Sequence, residues 1–347
     1  MYTKNSIRYH WGDATMKHLF IINPVSFPKE SEMAAVISEI NDHFKTDAQY
    51  YHIHISRFPR DGIRYVRKFI EAAQGEMVRV YAVGGDGVVF DCLNGLSDMP
   101  NAQLAIVPYG IYSDFLRVFG DGSHIREIFR SIRTMATAGT MYTDVISLGH
   151  RRTLSFVTMG LEALAFYKHS EMRRKYPNLA KRLGRSFYKI GGPLAVLDKR
   201  GYNFEYEITI DGKSYDGRYV GIHISNSGVY GGNMVPAPMA RPDDGWLDII
   251  TVSDVSRATL IRMMGKYTSG KYYMANDETP ADKYIKETLR HIRGKEITVR
   301  SNNPMYVNAD SETHHDVKMN INILPAHLQI VVPDGLSYVR RDGKTND

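Results

Sequence analysis

Gly84-Gly85-Asp86-Gly87 have the residue types and spacing to hold phosphate. They follow a β-branched, apolar run (Val78, Val80, Ala82, Val83) that reads as a buried strand. After them, Val88, Val89, Cys92, Leu93 and Leu96 recur at helical spacing. In such a strand–turn–helix the glycines let the backbone approach an anion, and the N–H groups and dipole of the first helical turn favour negative charge. Asp86 places a carboxylate where a phosphate would be repelled, so it suits a sugar hydroxyl, a Mg²⁺ ion or an acceptor proton. A βα turn whose glycines serve only the backbone accounts for the same residues.

Four further stretches bear on that choice. An apolar strand over 18–23 runs into Asn23-Pro24-Val25-Ser26. Leu104 to Arg117 (LAIVPYGIYSDFLR) is a second strand–turn–helix. A Gly/Pro-rich loop from Tyr230 leads to Asp243-Asp244-Gly245-Trp246-Leu247-Asp248, and Asn308-Ala309-Asp310-Ser311-Glu312 places acids just before a strand. In this order and spacing the five stretches resemble the diacylglycerol kinase catalytic-domain family. That family takes in bacterial lipid kinases and sphingosine and ceramide kinases, and is distantly related to NAD kinases and phosphofructokinases. The resemblance covers nearly the whole chain, residues 16 to 340, and GGDG and DDGWLDI are its most specific parts.

The resemblance implies an N-terminal α/β domain like that of NAD kinase and phosphofructokinase, with a mainly antiparallel β-sandwich second domain. It implies an ATP- and Mg²⁺-dependent kinase that phosphorylates a hydroxyl of a diacylglycerol-like or sphingoid-like lipid. Carried over by position, the nucleotide-binding residues are Asn23, Ser26, Gly84, Gly85, Asp86, Gly87, Val88, Gly110, Ile111 and Asp114. A structural Mg²⁺ is implied at Asp244 with the carbonyls of Arg241 and Trp246, an oxygen-only set of the kind Mg²⁺ prefers. Glu312 is implied as the general base, with Asp86 orienting a Mg²⁺ ion or the acceptor side.

Several positions depart from the family pattern. Phe27-Pro28 stands where a glycine follows the serine, and Val88 stands where the family has threonine. Ile111 and Ser113 replace a threonine and an asparagine that help hold the phosphates, and Ser311 replaces the glycine of Asp-Gly-Glu. Each lost contact to a charged phosphate costs about 1.5–3 kcal/mol. Three readings follow: a lipid kinase that holds its phosphates differently, a catalytically altered relative acting as a lipid- or nucleotide-binding regulatory protein, and a kinase with a soluble acceptor.

The elements that must carry these motifs are legible in the patterning. At 347 residues, 43% hydrophobic and 24% charged, the chain suits two globular domains. The expected division is an N-terminal extension at 1–15, a nucleotide-binding domain at 16–140 to which 325–340 returns, and a β-rich substrate domain at 141–324. Ser31 is expected to cap a helix over 32–45, and 64–73 reads as another helix. With strands at 50–56, 78–83 and 104–107 these give a repeating β-α-β-α pattern. That pattern implies a parallel sheet with ligands beyond the carboxyl ends of its strands. From residue 140 strand-like runs predominate (141–148, 153–158, 204–210, 219–225, 246–252, 296–300, 318–324), with helices inserted at 161–199 and 255–275. Asp211-Gly212-Lys213 reads as a hairpin turn. Thr143-Asp144 and Asn226-Ser227-Gly228 read either as cleft lining or as ordinary polar strand ends.

The single cysteine, Cys92, excludes a disulfide framework, fits a reducing cytoplasm and is expected in the core. No run long enough to span a bilayer occurs, and the N-terminus lacks the pattern of a signal peptide. The net charge of +6 is unevenly spread. Arg173, Arg174, Lys175, Lys181, Arg182, Arg185, Lys189, Lys199 and Arg200 share a segment with Asp198 as its only acid, interleaved with Tyr176, Leu179, Leu183, Phe187, Tyr188, Ile190 and Leu194. This composition suits an anionic membrane surface and a peripheral location; a solvated helical face is the alternative. Nucleic acid is not expected, because no helix-turn-helix, RNA-binding or zinc signature accompanies the charge. A homodimer is admissible. His52, His54, His314 and His315 could ligate a metal but read as surface histidines.

Overall fold

The computed structural model describes residues 16–45, 50–110, 113–183, 191–198, 204–231, 234–273, 280–310 and 312–341. The extension at 1–15, Ile111, Ser311 and Arg185, Lys189, Lys199 and Arg200 of the basic segment lie outside these residues. Two compact units divide the chain. One holds the residues up to Asp144 with Ala326–Tyr338, and the other holds Val145–Pro325 with the residues from Val339 onward.

The first unit alternates strands and helices: β1 (Lys17–Ile22), α1 (Glu30–Phe44), β2 (Tyr51–Ile55), α2 (Asp61–Ala72), β3 (Val78–Gly84), α3 (Asp86–Leu96), β4 (Ala102–Pro108), α4 (Ser123–Arg130) and α5 (Ile132–Thr137). The strands run parallel in the order β2-β1-β3-β4. Every residue of β3 and β4 is buried, as expected of parallel strands covered on both faces. α1 buries Val36, Ile40 and Phe44, one residue per turn. It begins at Glu30, with Lys29 as an extended N-cap that makes no side-chain bond, so Ser31 lies inside the helix rather than capping it. Glu30 and Glu32 supply the first-turn negative charge that favours this start. Cys92 is fully buried.

Arg79 lies in this core although it belongs to an otherwise apolar strand. Its Nε donates to Gln103 Oε1 at 3.0 Å, and its Nη1 donates to the carbonyls of Met135 and Ala136 at 2.8 Å each. The guanidinium thus satisfies carbonyls at the end of α5, where the helix dipole is negative.

β5 (Gly139–Leu148) leads into the second unit, where antiparallel strands predominate. These are β6 (Arg151–Thr153), β7 (Phe156–Gly160), β8 (Phe204–Ile210), β9 (Lys213–Ser214), β10 (Gly217–Ser225), β11 (Leu247–Ser253), β12 (Leu289–Gly294), β13 (Glu296–Ala309) and β14 (Glu312–Val332). The order β12-β11-β10-β7-β13-β14 is antiparallel throughout, and β8 pairs with both β10 and β13. Ile222, Ile224, Ile249, Val299 and Ile321 belong to its core. The β8–β9 hairpin turns at Asp211 and Gly212, both at positive φ, which is the primed turn that matches strand twist.

Five helices decorate these strands: α6 (Leu161–Lys175), α7 (Pro177–Leu183), α8 (Gly191–Leu197), α9 (Arg257–Thr268) and α10 (Pro280–Thr288). The expected strand over 153–158 is interrupted at Leu154 and Ser155, whose N–H groups are drawn to the Asp310 carboxylate. From Ala326 the end of β14 belongs to the first unit, where Gln329 and Ile330 pair in parallel with Gln103 and Leu104. Among the described residues, no helix is long and apolar enough to cross a membrane.

Candidate active site

The three turns at the carboxyl ends of β1, β3 and β4 meet. Asn23 ends β1 and caps a short 3₁₀ turn, Pro24–Ser26, by accepting the Val25 N–H at 3.1 Å on its Oδ1. The Asn23 N–H itself donates to the Val83 carbonyl at 3.1 Å. A Cβ placed on Gly84 would lie 2.8 Å from Ser26 Oγ and 2.7 Å from Val88 Cγ1, so only glycine admits this approach. A Cβ on Gly110 would overlap the Gly85 backbone, and the Tyr109 N–H donates to the Gly84 carbonyl at 3.0 Å. A Cβ on Gly87 would meet nothing within 4 Å, so this side of the turn faces open space.

Gly85 is the N-cap of α3, with no side-chain cap over it, as an anion-binding helix start requires. Asp86 accepts the Asp114 N–H on Oδ1 at 3.0 Å, which ties the 3₁₀ segment Asp114–Phe119 to the glycine turn. Asn23, Ser26, Gly84, Gly85, Asp86, Val88, Gly110 and Asp114 are thereby brought together. Val88 is buried against the turn, so its methyl groups fill the place where the family pattern has a hydroxyl.

Two arginines absent from the sequence reading hold the third turn. From α4, Arg126 Nη2 donates to the Gly110 carbonyl at 2.6 Å and to that of Pro108 at 3.3 Å, and Arg130 Nε donates to Pro108 at 2.8 Å. The Tyr109 ring stacks on Phe27 at 4.9 Å and has the Arg130 guanidinium 5.0 Å from its centroid. Their i, i+4 spacing on α4 was the available signal, but nothing in the sequence pairs that helix with a turn so far upstream.

In the second unit, Glu312 opens β14 opposite Ala309, at the tip of the β13–β14 hairpin. Asp310 turns the chain at positive φ, and its buried carboxylate accepts three backbone N–H groups: Leu154 at 2.6 Å, Ser155 at 3.1 Å and Phe156 at 3.1 Å. Those bonds pin the tip that carries Glu312 and engage Asp310 structurally. Asn226 joins the same turn, donating from Nδ2 to the Leu154 carbonyl at 2.8 Å. Asp144 is buried and accepts the Ala326 N–H at 2.7 Å, a bond that ties β5 to β14. His315 packs on Tyr306 at 4.3 Å, and His54 bonds Asp61 at 2.9 Å while stacking on Tyr65 at 3.8 Å. Among the described residues, no three His, Cys, Asp or Glu side chains are grouped to hold a metal.

The Phe156 ring leads from that tip to a cavity of about 880 Å³. It packs on Phe166 at 5.4 Å and Tyr230 at 4.7 Å, both of which line the cavity. The walls come from α6, α8, α9 and β10 and are apolar, with Leu161, Val196, Val252 and Met264 among them. Among the described residues of the lining, Glu162 is the charged one. Its carboxylate accepts Tyr267 OH at 2.8 Å on Oε2 and lies 3.1 Å from His223 Nδ1 through Oε1. Burial and the adjacent Glu162 charge push the Tyr267 hydroxyl well above the usual tyrosine range, so it stays a proton donor.

Asp244 does not present the ligand set implied for a structural Mg²⁺. Its Oδ1 accepts the Trp246 N–H at 3.1 Å, closing the turn on itself, and its Oδ2 accepts Arg293 Nη2. Arg293 also lies 3.4 Å from Asp248 and 5.3 Å from the Trp246 ring, and Lys295 sits 4.5 Å from the same ring. Arg241 forms a fork on Asp243 with two bonds of 3.0 Å. A divalent cation at Asp244 would have to displace a guanidinium already in contact with the carboxylate.

Comparison with known proteins agrees with this architecture. Residues 17–146 match the diacylglycerol kinase catalytic domain, and residues 140–332 match the YegS C-terminal NAD kinase beta sandwich-like domain. Proteins of Staphylococcus aureus strains N315 and Newman, each named "Putative lipid kinase", are 24% identical over 302 residues, covering 86% of this chain and 92% of theirs. A crystal structure described as a "putative diacylglycerol kinase" from Bacillus anthracis superposes with a TM-score of 0.69 at 23% identity, over 94% of this chain and 100% of that one. A second B. anthracis diacylglycerol kinase structure gives 0.65 at 22% identity, over 93% and 99%. With an α/β unit matching the first domain and an antiparallel unit matching the second, the chain belongs to the diacylglycerol kinase catalytic-domain family with a YegS-type C-terminal domain.

Proposed function

We propose that the protein is a lipid kinase that transfers the γ-phosphate of Mg-ATP to a hydroxyl of a diacylglycerol-like or sphingoid-like lipid. The observation that carries the lipid acceptor is the cavity: predominantly apolar walls, a volume in the range of small-molecule sites, and Glu162 as the charged residue among the described lining. Glu162, held by His223 and Tyr267, offers hydrogen-bond acceptors to the donor groups of an otherwise apolar molecule. Phe156 joins the cavity wall to the turn that Asp310 pins, on the hairpin that carries Glu312.

In this reading the turns at Asn23, Gly84–Gly87 and Gly110 receive the phosphates of Mg-ATP through backbone N–H groups and the start of α3. The Asp86–Asp114 bond keeps the adjoining segment in place. Glu312 takes the proton of the acceptor hydroxyl, the acceptor oxygen bonds to the γ-phosphorus, and the bond to the bridging oxygen breaks with loss of ADP. Arg126 and Arg130 fix the Pro108–Gly110 backbone, which supports a cradle made from main-chain groups where side-chain hydroxyls are missing.

The test is Glu312→Gln, which keeps the side-chain shape and removes the base. Loss of lipid phosphorylation with nucleotide binding retained supports the assignment; full turnover removes Glu312 from the mechanism. Burial of Val88 favours a second reading, in which the fold binds lipid or nucleotide without transfer. Label transfer to lipid that is lost in Asp86→Ala would exclude it.

A further inference from the structure

The helices around the cavity carry apolar side chains on the outside of the protein. Leu197 ends α8 immediately after the cavity-lining Val196 and is 71% exposed, and Ile261 of α9 lines the cavity while remaining 60% exposed. On α7, which packs on α6, Leu179 and Leu183 are exposed at i, i+4 spacing, and Tyr176, just before the helix, is exposed too. Ala180 of this helix is buried, and Leu179 and Leu183 flank it half-exposed, at 43% and 40%.

Charge accompanies these side chains. Arg173, Arg174 and Lys175 occupy the last turn of α6, and Arg182 lies on α7, all exposed. Lys168 pairs with Asp198 at 3.0 Å and also lies 3.7 Å from Glu171. The face therefore combines cations with aliphatic anchors beside the mouth of an apolar cavity, the combination that binds an anionic lipid interface.

We propose that α7, with Leu197 of α8 and Ile261 of α9, docks on an anionic membrane leaflet, the leucines entering the acyl boundary and the arginines meeting the headgroups. Entry of the acceptor into the cavity from that leaflet rests on the lipid-kinase reading; docking itself does not.

The experiment is co-sedimentation of the full chain with vesicles of phosphatidylcholine alone and of phosphatidylcholine mixed with phosphatidylglycerol. The wild type sediments with the anionic vesicles. The pair Leu179→Glu with Leu183→Glu, and separately Leu197→Glu, reduce partitioning by about tenfold or more with unchanged melting temperatures, because the replaced side chains are exposed. Arg174→Glu with Arg182→Glu removes the preference for anionic vesicles. A wild type that stays in the supernatant, or leucine variants that bind like the wild type, would overturn the proposal. So would retention on duplex DNA without vesicle binding, which would assign the basic residues to nucleic acid. Vesicle binding without label transfer to lipid would instead refute the kinase reading and leave the docking face standing.

Discussion

Asp86 Oδ1 and the Asp114 backbone N–H are 3.0 Å apart, and this bond joins the glycine turn after β3 to the segment after β4. The carboxylate of the GGDG motif is thus a strut between two nucleotide-side turns. Asp86→Ala removes the acceptor from a part-buried donor, a loss of about 1–3 kcal/mol in urea unfolding. Asp86→Asn keeps an oxygen at that position and recovers most of the stability. Equal stability of the alanine variant and the wild type would show that the strut carries no weight.

Val88 sets a second expectation. Ligand at about a hundred times its dissociation constant adds about 2.7 kcal/mol, so Mg-ATP raises the melting temperature by a few degrees over Mg²⁺ alone. Val88→Thr buries a hydroxyl and lowers the stability of the free protein by about 1–2 kcal/mol. It also enlarges the Mg-ATP shift, because a donor returns to the phosphate side of α3. An unchanged shift in the variant would mean that residue 88 does not face the phosphates.

Arg293 on Asp244 makes the DDG turn independent of divalent ions. Without nucleotide, Mg²⁺ and EDTA leave the melting temperature of the wild type unchanged. Arg293→Met frees the carboxylate and makes the melting temperature rise with Mg²⁺, and adding Asp244→Asn abolishes that rise. Stabilisation of the wild type by Mg²⁺ that disappears in Asp244→Asn would restore the metal to this turn.

His18 gives the first unit a pH dependence. Burial, then the charges of Arg79 and His43, lower its pKa from 6.5 to about 3, and its ring sits 2.8 Å from Tyr81 OH through Nδ1. The folded state therefore keeps His18 neutral while the unfolded chain protonates near 6.5. The contribution is fully present above pH 6.5 and is lost as the pH falls toward 3, by an amount on the order of 5 kcal/mol. His18→Gln flattens the stability profile between these values; an unchanged profile would contradict the assignment.

How far the sequence carried this account depends on how local the signal is. The glycine turns were legible because strand, glycine and helix lie within a dozen or so residues, and each adopts its own preferred conformation. The Asp244–Arg293 contact was not legible, because Arg293 comes from β12 and only the β11–β12 register places it opposite Asp248. Arg79 was not singled out within its apolar strand; its burial depends on two carbonyls at the end of α5, which the sequence does not bring next to it. Asp310 was legible as an acid near Glu312, but not as the group that breaks the strand at Leu154 and Ser155. Glu162 was not singled out, since a glutamate in a helix looks solvated until His223, Tyr267 and the cavity surround it.

The most direct measurement follows label from γ-radiolabelled Mg-ATP into lipid. The purified protein is incubated with vesicles containing diacylglycerol or a long-chain base, and the extracted lipids are separated. The account predicts labelled phospholipid from the wild type, and none from Glu312→Gln, which still shows the thermal shift with Mg-ATP. Absence of labelled lipid from a wild-type protein that binds both Mg-ATP and vesicles would contradict it.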